Sequence, residues 1–153
     1  MGTVYSTQRT NSRATPVVMN KSNELGGRVR VAHGVYEASS LAADEVIEMF
    51  ILPDGARILH GQLAHDALGS STTLAVGHGA YKNADGTDVA LDADEFKAAA
   101  ASTSAQKVDV AATLALGSGI EVDADDDGYP VTVTLAGAAA TGTIELTMYY
   151  VVD

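Results

Sequence analysis

Residues 143–152 read TIELTMYYVV, and this stretch decides which fold the sequence predicts. Apolar side chains occupy every second position, and one face collects Ile144, Leu146, Met148, Tyr150 and Val152. A period of two is the period of a β-strand, and the β-branched residues in which the stretch is rich favour strands. The stretch therefore predicts a β-strand with one apolar face.

Comparable short stretches precede it along the chain. They read RVRVAHGVY (28–36), EVIEMFIL (45–52), ARILHGQLAHDAL (56–68), STTLAVGHGAY (71–81), QKVDVAATLAL (106–116) and PVTVTL (130–135). Turn signals separate them, of which Pro53-Asp54-Gly55 and the 82–88 segment around Asp85-Gly86 are the strongest. Short strands at regular spacing predict an all-β fold, namely an antiparallel β-sandwich or jelly roll.

One stretch departs from the strand pattern. In LDADEFKAAAAS (91–102), Asp92 and Glu95 have the spacing of a capping box, and a run of alanines follows them. The stretch therefore predicts one short helix over about residues 92–101.

Residues 1–27 have neither a helical nor a strand period. They are rich in Ser, Thr and Asn, include Pro16 and end in Gly26-Gly27, so they cannot bury enough apolar surface to fold alone. We expect an extended N-terminal arm over 1–27 and a β-sandwich body over 28–153.

Charge is divided unevenly along the 153-residue chain, whose net charge is −11. Residues 1–30 hold five basic residues against one acidic residue, a net charge of +4, and residues 31–153 hold four against 19, a net charge of −15. An acidic body repels nucleic acid and anionic membranes, so neither is expected as a partner.

The arm combines basic with apolar side chains, which suits binding to an acidic protein surface with apolar patches. We expect it to bind its partner through five residues: Tyr5, Arg9, Arg13, Val17 and Val18. A neighbouring copy of the acidic body is one candidate for that surface.

The residues that usually carry catalysis do not form a recognisable constellation. Cysteine is absent, which excludes thiolate metal sites and a cysteine nucleophile, and no G-x-S-x-G or P-loop motif occurs. None of the four histidines has the spacing of a zinc site, and His60 and His65, five residues apart, point to opposite faces of a strand. The sequence therefore predicts no enzyme, no metal site and no cofactor.

The segment DADDDG (123–128) matches the first half of a calcium loop. Asp123, Asp125, Asp127 and Gly128 occupy the first ligand positions and the glycine position, but position 12 is Thr134, which cannot replace the bidentate glutamate. The flanks also have strand patterns, whereas an EF-hand needs helices. We therefore interpret the segment as an acidic hairpin loop; weak cation binding that relieves carboxylate repulsion stays open as an alternative.

Several stretches carry family information. They are ELGGRVRV (24–31), the 46–96 segment with its LPDGARIL, DALGSSTTLAVG and Y-x-N-A-D-G elements, and the terminal YYVVD, with TVYSTQRT (3–10) in addition. Together they resemble the capsid decoration, or cement, proteins of tailed bacteriophages. The DADDDG segment is not part of the resemblance.

The resemblance implies a structural virion protein on the outer surface of the capsid. It implies a β-sandwich subunit, a homotrimer, with the major capsid protein as partner and the N-terminal arm as the attachment. Two other classes stay open from the sequence: a receptor- or carbohydrate-binding module of a fibre or tail, and a carbohydrate-active enzyme built on a sandwich.

Overall fold

The structure, a computed structural model, describes residues 3–152. Residues 1, 2 and 153, at the outer ends of the predicted arm and body, lie outside the described residues. The described range forms ten strands: β1 (Val29–Leu41), β2 (Val46–Leu52), β3 (Arg57–His65), β4 (Thr73–His78), β5 (Tyr81–Lys82), β6 (Asp88–Val89), β7 (Asp92–Ala101), β8 (Gln106–Val110), β9 (Tyr129–Ala136) and β10 (Ala140–Val151). It also has one α-helix, α1 (Thr7–Arg13), and one 3-10 helix (Leu114–Leu116).

Eight of the strands form two four-stranded antiparallel sheets. One sheet has the order β1-β10-β3-β8 and the other the order β2-β9-β4-β7, while β5 and β6 form a separate small hairpin. The chain passes between the sheets at almost every connection, which is the topology of a jelly roll. The predicted all-β sandwich or jelly roll is confirmed.

The core lies between the inner faces of the two sheets. Ile144, Leu146 and Met148 of β10 are fully buried there, as the period of two predicts. Tyr150 and Val152 continue the same alternation: they are half-buried and pack against this core. Val151 lies on the opposite face, where Gly27 of the N-terminal segment covers it. The largest other fully buried side chains are Phe96, Leu52, Ile58, Leu63, Leu74 and Leu135.

Strand β1 lies at the edge of its sheet and pairs with β10 alone. Its small residues face inward: a Cβ added to Gly34 would lie only 2.7 Å from the carbonyl oxygen of Met49. The opposite face carries Val29, Val31 and Val35, each more than half exposed. The apolar face of this strand is therefore the one that faces solvent.

The predicted helix over 92–101 is wrong, because this segment is strand β7. Its alanines favour a helix locally, but pairing with β4 at the edge of the second sheet satisfies the backbone instead, and Phe96 is fully buried in the core. Tertiary packing overrides helix propensity here. The predicted strand over 106–116 is also too long: β8 ends at Val110, and a 3-10 helix follows after three residues.

The α-helix of the described residues lies in the N-terminal segment, where the sequence has no helical period. Ser6 caps α1 by accepting a hydrogen bond from the Arg9 N–H at 3.3 Å. Asn20 then holds the following segment against the helix, since its amide donates to the Gln8 carbonyl at 3.0 Å and accepts from the Asn11 side chain at 3.1 Å. Among the described residues no helix is long and apolar enough to span a membrane.

Candidate functional site

The last residues of the N-terminal segment are attached to the body, and we call residues 20–27 the arm root. The Lys21 ammonium contacts both carboxylate oxygens of Glu121, at 2.9 and 2.8 Å. Glu24 lies 3.7 Å from the Arg57 guanidinium. The contact with Glu121 raises the pKa of Lys21, and the hydrogen bond from Lys21 lowers the pKa of Glu121.

Residues 3–19, the arm tip, hold all five residues predicted to bind a partner. Arg13 lies over the ring of Tyr5, with its guanidinium carbon 4.7 Å from the ring centroid, a cation–π contact. Arg9 lies four residues before Arg13 on α1 and is exposed. Val17 and Val18, 63% and 50% exposed, follow the helix. The tip thus presents basic and apolar groups to solvent.

A second exposed apolar area covers the outer face of the β1 sheet, and we call it the valine face. It is defined by Val29, Val31 and Val35 of β1. Val31 pairs with Tyr149 of β10, whose ring stacks on His60 with centroids 4.7 Å apart. His33, between the valines, contacts the Thr147 hydroxyl at 2.8 Å. Apolar groups exposed together in this way are typical of protein–protein contacts.

Near the β5–β6 hairpin lies an open groove of about 660 Å³. Its acidic lining residues are Glu48, Asp88, Asp125 and Asp127. Its apolar lining includes Ile51, Val89 and Pro130, and Tyr81 adds an aromatic ring. The groove therefore has the acidic and apolar character that would complement the arm tip.

The DADDDG segment lines part of this groove, and its carboxylates cap main-chain groups. Asp123 accepts from the Ala84 N–H at 3.2 Å, and Asp125 accepts from the Asp127 N–H at 3.0 Å. The interpretation as a hairpin loop is wrong, because the flanks pair with different strands: Glu121 bridges to Arg57 of β3, whereas β9 pairs with β2 and β4. No group of three ligands forms here among the described residues.

The structure assembles a different cluster that the sequence reasoning missed. His78 at the end of β4 pairs with Asp92 at the start of β7. Val76 pairs with Lys97. The chain therefore advances by two residues in β4 and by five residues in β7 between the two pairs, and this bulge brings Glu95 beside Asp92. One ligand atom from each of His78, Asp92 and Glu95 lies within 4.8 Å of the others. A regular strand would place residues 92 and 95 on opposite faces.

Glycine at position 77 makes this bulge sterically feasible. A Cβ there would lie 2.0 Å from the Asp92 carbonyl oxygen and 2.5 Å from the Ala93 carbonyl carbon. The main chain of β7 therefore folds directly over Gly77, which a side chain would prevent. The signal was present in the sequence as a glycine inside a strand pattern, which often marks close approach of another backbone.

Partial burial governs the electrostatics of this cluster. Burial raises the pKa of Glu95, the charge of Asp92 raises it further, and His78 opposes both effects. His78 packs against Tyr81 and Tyr129, with ring centroids 5.2 and 5.1 Å away. Burial also raises the pKa of Tyr129 strongly, so its phenol stays neutral.

The other histidines agree with the sequence prediction. His60 is exposed and His65 is buried, so they point to opposite faces of β3 as the five-residue spacing predicts. The His65 ring nitrogen Nδ1 lies 2.7 Å from the Asp66 carbonyl oxygen. Between residues 3 and 152, neither histidine belongs to a group of three potential metal ligands.

No protein-family model matches this sequence, and no curated protein does either. Solved structures do match. The chain is similar to a chain in the capsid of Ralstonia phage GP4, with a TM-score of 0.63 and 26% identity over 83% of this chain and 86% of that one. This protein resembles a phage capsid chain.

A second solved structure shares the fold. A chain of the cyanophage Pam1 capsid asymmetric unit has a TM-score of 0.63 and 20% identity, with both chains covered completely. Both similarities extend over most or all of this chain, so they include the jelly roll as a whole and not one motif within it.

Proposed function

We propose that this protein is a structural, non-enzymatic component of a tailed-phage virion, where it decorates and stabilises the capsid as a cement protein. The observation that carries the proposal is the similarity to a chain of the Ralstonia phage GP4 capsid over 83% of this sequence. The exposed basic and apolar arm tip gives the proposal a mechanism. We place the protein on the outer capsid surface, bound to the major capsid protein.

The arm tip supplies the attachment in this proposal. Val17 and Val18 are at least half exposed, and each gains free energy only when a partner covers it, at about 25 cal/mol per Å² of apolar surface. Arg9 and Arg13 guide the tip toward acidic surfaces through attraction that acts over about 8 Å at physiological salt. Charge therefore directs the docking, and apolar burial holds it.

The valine face supplies self-association in the same proposal. Edge strands with exposed apolar side chains invite further contacts, and β1 is such an edge. Packing of this face against neighbouring copies would bury Val31, Val35 and the adjoining Tyr149. A trimer built this way would suit the threefold positions of a capsid lattice.

A carbohydrate-binding module would need an aromatic ring free to stack on a sugar. Tyr81 is the aromatic side chain that lines the groove, and its ring packs on His78 and Tyr129, with centroids 5.2 and 4.8 Å away. Since both contacts hold the ring within the protein's own aromatic cluster, the groove favours the structural role.

The decisive experiment adds the purified chain to phage heads that lack it. We expect co-sedimentation with the heads and cryo-EM density for a jelly roll on the outer lattice, with the arm tip against the major capsid protein. Density on the tail or on a fibre, with bare heads, would contradict the proposal.

A further inference from the structure

The cluster of His78, Asp92 and Glu95 has no role in the proposed attachment of the protein to a capsid. We propose that these three side chains bind one divalent transition-metal cation, such as Zn²⁺, and that the cation fixes the bulged edge strand β7 to β4. This inference is independent of the proposed virion role, because it concerns ligands within one chain.

The geometry of the three ligand atoms is near that of a zinc site. They all lie within 4.8 Å of one another, whereas ligand atoms in a tetrahedral zinc site are about 3.4 Å apart. Glu95 is only half-buried, and its flexible side chain allows the carboxylate to move closer to the other two ligand atoms. Three protein ligands leave a fourth position for water.

His78 is oriented as a metal-binding histidine is. Its side chain is 6% exposed, and its Nδ1 lies 2.8 Å from the Gly79 carbonyl oxygen, so Nδ1 carries the proton and donates it. In the neutral ring Nε2 then carries the free lone pair, and Nε2 makes no hydrogen bond to any residue from 3 to 152. A main-chain carbonyl that fixes the tautomer from the opposite nitrogen is the usual second contact of a ligating histidine.

The charge balance also favours a cation. Two carboxylates lie beside each other in a partly buried place, and one oxygen of Asp92 already accepts from the Asp94 N–H at 3.1 Å. The lysine of the same strand, Lys97, contacts the Ala98 carbonyl oxygen at 3.4 Å. A bound cation would remove the repulsion between Asp92 and Glu95, which a lone imidazole relieves only in part.

The ligand set selects the class of metal. One imidazole nitrogen with two carboxylates suits Zn²⁺ and its neighbours, while Mg²⁺ and Ca²⁺ prefer oxygen ligands throughout. The ligands come from two strands that pair irregularly here, so the cation would stabilise a segment that the ordinary strand ladder holds weakly.

The test titrates the full-length chain, stripped of metal with a chelator and then exchanged into chelator-free buffer, with Zn²⁺ in a calorimeter. We expect one Zn²⁺ per chain and a rise in Tm; free Zn²⁺ at 100 times Kd should lower the unfolding equilibrium constant about a hundredfold. Co²⁺ should give visible absorption bands, and Ca²⁺ should not compete.

Glu95→Gln and Asp92→Asn keep the side-chain shapes and should each weaken Zn²⁺ binding at least tenfold. His65→Gln is the matched control, because His65 is similarly buried and makes the same type of main-chain contact but belongs to no three-ligand group among residues 3–152. This control should bind Zn²⁺ as the unchanged protein does. The proposal is overturned if the unchanged protein binds no Zn²⁺, or if the folded Glu95→Gln variant binds it equally well.

Discussion

The ammonium of Lys21 contacts both carboxylate oxygens of Glu121, one hundred residues further along the chain, at 2.9 and 2.8 Å. This contact separates two parts of the N-terminal segment. The arm root, residues 20–27, is attached to the body, whereas the arm tip, residues 3–19, has basic and apolar groups in solvent. A deletion that ends just before Lys21 therefore removes the tip together with Asn20 and leaves the Lys21–Glu121 contact in place.

We predict that removal of residues 1–20 leaves the body folded and abolishes attachment to phage heads. The described residues that are removed contribute no buried side chain, and Lys21 keeps its contact with Glu121. Far-UV circular dichroism should keep its β-type spectrum with a cooperative melt, and co-sedimentation with heads should be lost. Equal decoration by the shortened chain would show that the tip is passive.

Charge at the tip should control the salt dependence of attachment. Arg9→Ala combined with Arg13→Ala removes two exposed charges and the cation–π contact with Tyr5. We expect binding to heads to weaken by about 0–1 kcal/mol for each exposed ion pair that is lost. The affinity should also decrease less steeply as salt rises, because fewer charges are left for salt to screen.

The matched control is Lys97→Ala combined with Lys107→Ala, which removes the same charge from strands β7 and β8. It should leave the binding curve and its salt slope unchanged. An identical loss in both double variants would show that total charge, and not the arm, sets the affinity.

The strands that alternate regularly were predictable from the sequence. In β10 and β9 the period of two agrees with burial, because both strands lie inside their sheets and have one core face. In β1 the period of two was evident, but the sequence did not show which face points to the core. Only the contact with the Met49 main chain shows that Gly34 must face inward. The sequence pattern therefore shows which residues share one face of a strand, but it does not show what packs against that face.

The candidate metal site could not be predicted because it depends on a bulge. Asp92 and Glu95 fit a capping box locally, and the alanine run strengthened that interpretation. The structure of this segment is decided by the pairing of β7 with β4, and the register of that pairing shifts at two places. The approach of the β7 main chain to Gly77 is also a tertiary contact. The local sequence pattern around each residue therefore does not show that His78, Asp92 and Glu95 lie together.

Calcium should have little effect on the DADDDG segment. Its Asp123 and Asp125 carboxylates already accept main-chain hydrogen bonds, and the chain lacks the glutamate that completes a calcium loop. We expect millimolar Ca²⁺ to leave Tm nearly unchanged in differential scanning calorimetry. A rise in Tm that disappears in Asp125→Ala would demonstrate a calcium site.

Stability without metal should depend on the ionisation of Glu95. Burial raises its pKa, Asp92 and Asp94 add to this effect, and His78 opposes it, while the nearby Tyr81 has a pKa raised above its ordinary value and stays neutral. An acid whose pKa is raised on folding binds more protons in the folded state, so its contribution to stability is present below the unfolded pKa and is lost as pH rises through the folded pKa.

Melting curves in the presence of chelator, from about pH 3 to about pH 7, measure this effect. Glu95→Gln should melt higher than the unchanged protein at neutral pH, and the difference should shrink at acid pH. Glu45→Gln, which removes an exposed carboxylate before β2, should show no such convergence. A constant difference between Glu95→Gln and the unchanged protein would contradict the assignment.

The valine face should determine the oligomeric state. Val31 and Val35 are 56% and 57% exposed on an edge strand, and Val31 pairs with Tyr149 beside it. Val31→Glu combined with Val35→Glu places two like charges in any contact that buries this face, and unpaired charges are costly to bury. We therefore expect the proposed trimer to dissociate, and the monomers should stay folded because neither side chain contributes to the core.

Analytical ultracentrifugation at micromolar concentration would measure the change in mass, with circular dichroism to verify the fold. Leu114→Glu is the control, since Leu114 is an 84% exposed apolar side chain on the 3-10 helix, which packs on β7 of the other sheet. It should leave the trimer intact. If the double variant keeps the mass of the unchanged protein, self-association uses another surface; if the unchanged protein is itself a monomer, the trimer forms only on the capsid, and the double variant should then decorate heads less well than Leu114→Glu.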